Sequence, residues 1–198
     1  MRFAVLVLAA GASTRFGGPK LLARLDGRPI LQHVLDAAAA SGPAVSMVVL
    51  GPRAEAIEEQ MAWRGEHRVH NPDPRRGLSS SVQVGLAALE RADPAGELEA
   101  VLILLGDQPR VRPSVIHELI HGAADSDRPI VAPAYADGRG HNPVLLRRSA
   151  WPVAAASKGD RGLGPIIAGR PDLVLKIPVG GANPDVDTPA DLAALSQE

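Results

Sequence analysis

Cysteine is absent from all 198 residues, which removes disulfides, thiolate metal ligands and a thiol nucleophile from consideration but says nothing of compartment. Aromatic residues make up only 3% and the formal net charge is −1. A nucleic-acid surface needs a basic excess and stacking platforms, so no nucleic-acid partner is expected. No apolar run approaches the length that crosses a bilayer, so no membrane partner is expected either. Internal repeats and low-complexity tracts are missing too. The linker-like piece Asp93-Pro94-Ala95-Gly96 is too short to separate domains, so residues 1–198 are expected to form a single one.

What is present is a run of alternating apolar segments. Strands are expected at Ala4–Leu8, Val45–Leu50, Arg68–His70, Val101–Leu105, Ile130–Pro133, Pro143–Leu146 and Leu173–Ile177. Met1-Arg2 followed by Phe3 to Ala10 imitates a short signal peptide. Cleavage there would remove the first strand of a complete α/β pattern, so it reads as core and the expected location is cytoplasmic. Between strands lie helical faces: Leu31, Val34, Leu35 and Ala38 after a first-position Pro29; Leu78, Val82, Gly85 and Leu89; Ile116, Leu119, Ile120 and Ala123 after Pro113. Pro133 to Pro143 has no periodicity and reads as an inserted loop or an excursion over one edge. The expectation is a three-layer α/β fold, a mostly parallel open sheet with helices on both faces. In such sheets ligands bind beyond the carboxyl ends of the strands.

One such end carries the most informative stretch, Leu8-Ala9-Ala10-Gly11-Ala12-Ser13-Thr14-Arg15-Phe16-Gly17-Gly18-Pro19-Lys20. Small residues let backbone N–H groups approach an anion, and Arg15 and Lys20 supply charge. Two familiar phosphate loops do not fit. Ser13 stands where G-x-G-x-x-G needs its second glycine, and five residues separate Gly11 from Gly17, with Leu21 after Lys20, against the Walker spacing.

Asp107 follows the aliphatic strand 101–105, placed as a hard-oxygen Mg²⁺ ligand opposite a triphosphate, or as a turn cap beside Pro109. Asp187 precedes Thr188-Pro189-Ala190-Asp191, a capping-box helix start that would hold it where it could reach the same ion, with Asp191 structural. Asn71 to Ser81 is a turn-rich loop running into a helix whose first turn carries Ser79, Ser80 and Ser81. One serine is expected to cap it, and the others, with Gly77, to touch ribose or phosphate. Gly138–Pro143 and Gly159–Gly162 are polar loops that could line a second-substrate pocket or simply cover the surface. His117 and His121 have chelating spacing without a partner motif, and Trp63 and Trp151 read as packing residues.

The stretch from Leu8 to Lys20 matches L-A-A-G-x-S-x-R-x-G-x-x-K, the signature of the sugar-nucleotide and cofactor nucleotidyltransferases, at every fixed position. With Gly106-Asp107-Gln108-Pro109, Gly77–Ser81 and Val186-Asp187-Thr188-Pro189, the chain resembles the molybdenum cofactor cytidylyltransferases and the similar guanylyltransferases, over nearly its whole length. Ala10 in place of glycine looks like the cytidylyl branch. The resemblance implies a Rossmann-like nucleotidyltransferase fold and Mg²⁺-dependent transfer of CMP from CTP to the terminal phosphate of Mo-molybdopterin. The product would be the dinucleotide cofactor of xanthine-dehydrogenase-type enzymes, with molybdenum hydroxylases or their chaperones as partners.

It further implies that Leu8, Ala9, Ala10, Lys20 and Asn71 hold the nucleotide, to which the residues themselves add Gly11, Ser13, Arg15, Gly77, Ser79, Ser80 and Ser81. Arg15, Lys20 and Asp107 would carry catalysis, Asp107 and Asp187 the metal, and Gln108, His141 and Asn142 the acceptor. The chain departs from the family at Gly140-His141-Asn142-Pro143-Val144, where both His and Asn precede Pro, and at Phe16, where this branch often has Met. The first departure faces the expected acceptor. Transfer to another phosphorylated acceptor, a flavin-type oxidoreductase and a molybdopterin-binding chaperone are the competing readings. Only the transferase needs an acidic pair converging on a metal.

Overall fold

The computed structural model describes residues 1–197. Among the described residues nine strands form in chain order: β1 (Phe3–Ala9), β2 (Arg24–Leu25), β3 (Arg28–Pro29), β4 (Val45–Leu50), β5 (His67–His70), β6 (Ala100–Leu105), β7 (Ile130–Tyr135), β8 (Val144–Arg147) and β9 (Val174–Val179). The helices are α1 (Ile30–Ala40), α2 (Ala54–Gln60), α3 (Leu78–Ala92), α4 (Pro113–Ala124), α5 (Trp151–Ala155), α6 (Gly164–Gly169) and α7 (Pro189–Leu195).

The main sheet has seven strands in the order β5-β4-β1-β6-β8-β7-β9. All its pairings are parallel except those of β8, which runs antiparallel to β6 and β7 on either side. β1 shows how the layers arise. All seven of its residues are buried, and the two-residue period of a strand sends them alternately to two cores. Phe3, Val5 and Val7 join α1, α2, α4 and α7 on one face, through Leu31, Val34, Ile57, Ile116 and Leu195. Ala4, Leu6 and Leu8 join α3, α5 and α6 on the other, through Val82, Leu86, Trp151 and Ile167. Helices on both faces of a mostly parallel sheet make the three-layer architecture expected from the sequence.

Packing on the second face is close. A Cβ on Gly85 of α3 would lie 2.5 Å from the Leu6 side chain, so glycine lets the helix seat directly on β1. Leu6 is fully buried there, which is worth roughly 1.5–3 kcal/mol relative to leaving it in water.

Two local expectations need correction. Of the two readings of residues 133–143, the excursion over an edge fails and the loop holds for 136–143 alone. β7 runs on to Tyr135, and the following loop turns the chain back into β8, which inserts between β6 and β7 in the middle of the sheet. Pro29 is not the first helical residue. It pairs with Arg24 in the β2–β3 ladder and stands as the N-cap of α1, because its extended ψ of 142° suits a strand end. Among the described residues no helix is long and apolar enough to cross a membrane.

Candidate functional site

Three segments meet beyond the carboxyl end of β1 and β6. The first is the loop leaving β1, where Ser13 and Gly17 adopt positive φ before a single 3₁₀ turn, Lys20–Leu22. That turn buries Leu21 and leaves Lys20 only 8% exposed. The second is Gly106-Asp107. The Gly106 N–H donates to the Leu8 carbonyl at 2.9 Å, continuing the β1–β6 ladder one residue past β6, so Asp107 emerges at a fixed place. The third is the approach to α7. The Val186 N–H donates to the Asp107 carbonyl at 2.9 Å, and the expected capping box forms: Thr188 accepts from the Asp191 N–H while the Asp191 carboxylate accepts from Thr188 and Asp187 N–H groups. Asp187 is thereby anchored from both sides.

The charges converge on one point. The Lys20 ammonium donates to Asp107 Oδ2 at 2.6 Å and to Asp187 Oδ1 at 3.0 Å, while the Arg15 guanidinium reaches Asp187 Oδ2 at 2.9 Å. Burial acts to lower the Lys20 pKa, but the Asp107 and Asp187 carboxylates outweigh it and the value is raised, so the ammonium stays charged. The two cations are not equivalent. An exposed pair such as Arg15–Asp187, with the Arg15 side chain 73% exposed, is worth roughly 0–1 kcal/mol. Removing one partner of a buried pair costs about 3–5 kcal/mol. Lys20 is therefore the more firmly held of the two, and Arg15 can leave Asp187 for a ligand at lower cost.

These groups line a cleft of about 490 Å³, within the range of small-molecule sites. Of the residues expected to hold nucleotide or metal, Leu8, Ala10, Gly11, Ser13, Arg15, Lys20, Gly77, Ser81, Asp107 and Asp187 line it. Ala9, Asn71, Ser79 and Ser80 do not, and neither does Gln108, which was expected to meet the acceptor. Ala9 follows the strand alternation and points to the opposite face, beside Leu21 and Ile57. Asn71 is buried and ties the loop to α3, donating to the Ser80 and Ser81 hydroxyls at 2.8 and 3.0 Å. No serine caps α3: its N-cap is Gly77, at φ 92°, and no side-chain cap bond forms. The helix start is closed instead by the chain itself, with Ser79 N–H donating to the Gly159 carbonyl and Ser80 N–H to that of Gly77. A Cβ on Gly77 would lie 2.4 Å from the Gly159 backbone, which is why that loop can pack so near.

Gln108 is 4% exposed and turned inward, donating to Asp185 Oδ1 at 2.7 Å. Asp185, a carboxylate that sequence reasoning missed, also lines the cleft, as does Asp160 of the 159–162 loop expected at a second-substrate pocket. Burial raises the Asp185 pKa, helped by the nearby charges of Asp107 and Asp187. A signal for it existed in the alternation Asp185-Val186-Asp187 ahead of the capping box. His141 and Asn142 line a second, largely apolar hollow of about 160 Å³, which shares Leu8, Leu78 and Leu105 with the cleft. Its volume is that of about five waters. Burial and the Lys176 charge lower the His141 pKa, so its ring is neutral near pH 7.

Among the described residues no three His, Cys, Asp or Glu side chains form a ready metal cage. Asp107 and Asp187 nonetheless aim a carboxylate oxygen each at the same cation, the Lys20 ammonium. Two hard carboxylates are the donor set that Mg²⁺-type ions use when phosphates and water supply the remaining oxygens. The residues fit such an ion.

Known proteins share this family and fold. The model of the MobA-like NTP transferase domain matches residues 5–174. Rv0371c of Mycobacterium tuberculosis H37Rv is similar in structure, with 31% identity and a TM-score of 0.88, over 100% of this chain and 98% of that one. The same protein crystallised with manganese matches at 29% identity and a TM-score of 0.85, over the whole of both chains. The bifunctional protein GlmU of Mycolicibacterium gilvum is 32% identical over 79% of this chain and 32% of its own. The chain thus spans about a third of the length of the curated relatives it matches. CMP:2-keto-3-deoxy-manno-octonic acid synthetase, in complex with CTP, shares the fold at 17% identity and a TM-score of 0.74, over 100% of this chain and 98% of that one.

Proposed function

Because the chain belongs to the MobA-like NTP transferase domain family, we propose that its cleft transfers a nucleoside monophosphate, CMP from CTP in the first instance, to the terminal phosphate of a molybdopterin-type cofactor. The observation that carries the reading is the sharing of the Lys20 ammonium between Asp107 and Asp187 on the wall of one cleft. A redox enzyme or a carrier has no use for that convergence. CTP rather than GTP, and molybdopterin as acceptor, rest on the resemblance described at Ala10 and at the Gly106–Pro109 and Val186–Pro189 motifs.

Chemically, an oxygen of the acceptor phosphate attacks the α-phosphorus of the triphosphate, the bond from that phosphorus to the bridging oxygen breaks, and pyrophosphate leaves. The acceptor oxygen is already ionised, so no residue need remove a proton from it. The chain's role is to position charges. Arg15 leaves Asp187 for the triphosphate, Lys20 turns from the carboxylates to the phosphate oxygens, and the N–H groups of the Gly11–Ser13 loop face the same anion. Preorganised contacts of this kind are worth about 3–4 kcal/mol each, or roughly 10²–10³ in rate. Asp107 and Asp187 would hold a divalent ion, for which Mg²⁺ is the reading and the manganese complex of Rv0371c the support. Such an ion supplies charge neutralisation for the transferred and leaving phosphates. The acceptor body lies toward His141 and Asn142, in the second hollow. Residues 1–198 act as one transferase domain.

The test is pyrophosphate release from CTP with Mg²⁺ and Mo-molybdopterin, run beside GTP, ATP and UTP. Release with CTP is expected, together with thermal stabilisation by CTP. Stabilisation by GTP but not CTP reverses the nucleotide assignment. No release with any of the four, across several phosphorylated acceptors, overturns the transfer reading.

A further inference from the structure

Gln108 follows Asp107 in the chain yet faces away from the cleft. Its Nε2 donates to Asp185 Oδ1 at 2.7 Å and to the Asn183 carbonyl at 3.3 Å, and its Oε1 accepts from Asn183 Nδ2 at 3.0 Å. The same Asn183 Nδ2 donates onward to the Asn142 carbonyl at 3.2 Å, which also accepts from the Tyr135 hydroxyl at 2.8 Å. One continuous run of hydrogen bonds therefore joins the Asp185–Asp187 segment on the metal side to the His141–Asn142 loop on the acceptor side. Gln108, Asn183 and Tyr135 are 4%, 8% and 6% exposed, and none of them lines the cleft or the second hollow.

This run is costly in its own terms. Two primary amides are buried, and Asn183 Oδ1 has no hydrogen-bond partner. Leaving a buried acceptor unpaired costs about 1–3 kcal/mol, and an apolar pair of the same shape would serve the core nearly as well. Stability alone does not account for the arrangement; its geometry does. It bridges the two loops that, on the reading above, hold the two reacting partners, and it does so from behind both.

We propose that Gln108 and Asn183 form a positioning clamp: acting as one unit, they set the span between the carboxylates of the metal-side segment and the acceptor-side loop. The clamp rests on the transfer reading for its purpose, but not for its existence. Neither amide touches substrate. In-line attack tolerates little error, and a displacement of about 1 Å costs on the order of 10² in rate.

Gln108→Met and Asn183→Leu keep volume and remove the donors; they are made singly and together. Amide hydrogen exchange is read without any ligand at Gly138 and Arg139, whose N–H groups are bonded within the same loop to the Tyr135 carbonyl and the Asp137 carboxylate. Each single variant is expected to exchange at least ~10-fold faster there, and the double variant no faster than the worse single, because a broken unit cannot be broken twice. Protection elsewhere in the sheet and the thermal shift given by CTP with Mg²⁺ are expected to hold. With Mo-molybdopterin, kcat is expected to fall ~10²-fold while KM for CTP is unchanged.

Unaltered loop exchange, additive losses, or faster exchange at full kcat each overturn the clamp. If the wild type is inert with CTP and Mo-molybdopterin, the transfer reading falls separately, and the exchange cycle still decides whether the two amides act as one. Should a single variant unfold, Gln108→Glu, which keeps the acceptor for Asn183 but sets a charge against Asp185, gives the same readout.

Discussion

The two ends of β6 carry the same chemical pairing and put it to opposite ends. At the amino-terminal end Asp93 accepts from the Glu97 and Leu98 N–H groups, each at 3.0 Å, and from Arg148 at 2.7 Å, with the guanidinium stacked 4.8 Å over Trp151. At the carboxyl-terminal end Asp107 and Asp187 share Lys20, and Arg15 closes the far side of Asp187. Asp93 is held mainly by backbone donors that cannot leave without unfolding the turn, and its side chain is 8% exposed. The Asp107 and Asp187 side chains, at 24% and 31%, are held by flexible side chains that can. An ion pair closed by backbone is structure; one closed by a lysine and a surface arginine on the wall of a cleft is a site.

The sharpest way to break this contrast is Asp107→Asn. The side chain keeps its shape at a loop position and Lys20 keeps Asp187 at 3.0 Å, so the melting temperature is expected to fall by a few degrees while turnover falls at least ~10³-fold. Full activity in a folded variant removes the metal assignment. Lys20→Ala comes next, with an expected loss of ~10²–10³ in rate, about 3–4 kcal/mol. It also leaves Asp107 and Asp187 facing each other without their shared cation, so Mn²⁺ titrated in the absence of nucleotide is expected to bind the variant more tightly than the wild type. Weaker Mn²⁺ binding would mean that the carboxylates do not aim at one ion.

Asp93→Asn gives the converse result: a melting temperature lower by several degrees, with kcat per folded molecule unchanged. Lost activity without lost stability would erase the distinction between the two ends. The smallest effect is in acid. The Leu98 and Glu97 N–H groups and the Arg148 charge hold the Asp93 pKa below its ordinary 3.8. Its contribution to stability is whole above that ordinary value and is lost as the pH falls through the lower folded one. The gap in melting temperature between wild type and Asp93→Asn is therefore expected to be widest near neutrality and to close in strong acid.

The same contrast explains what could be read in the sequence. The seven strands of the main sheet stand within about two residues of their expected places; β1, β4, β6, β7 and β8 are legible because a largely buried strand is written in apolar residues, while the edge strand β5, His67–His70, is mostly exposed and is no such run. Direction is not written there, so the reversal of β8 and its insertion between β6 and β7 came only with the structure, as did the two-residue β2–β3 ladder. In the site, Lys20, Asp107 and Asp187 were legible because each stands in a local motif: a loop after a strand, a residue past a strand end, a residue before a capping box. Gln108 and Asn183 were not. Their pairing links positions 75 residues apart, and nothing local distinguishes an amide that faces a ligand from one that faces its partner. The serines of α3 misled for a related reason. Hydroxyls in a first turn signal a cap only when the chain brings no other acceptor, and here the Gly159 carbonyl arrives from a distant loop.

The reversed strand β8 has a consequence for how such a protein can change. Because it points the other way, the turn that precedes it reaches the same rim as the loops following β1 and β6. A hairpin tip can be lengthened, shortened or rewritten without shifting the register of the strands that carry it. The strand that carries Asp107 keeps its register while that arm is edited, and what the edit must respect is the tie from the Asn183 amide to the Asn142 carbonyl.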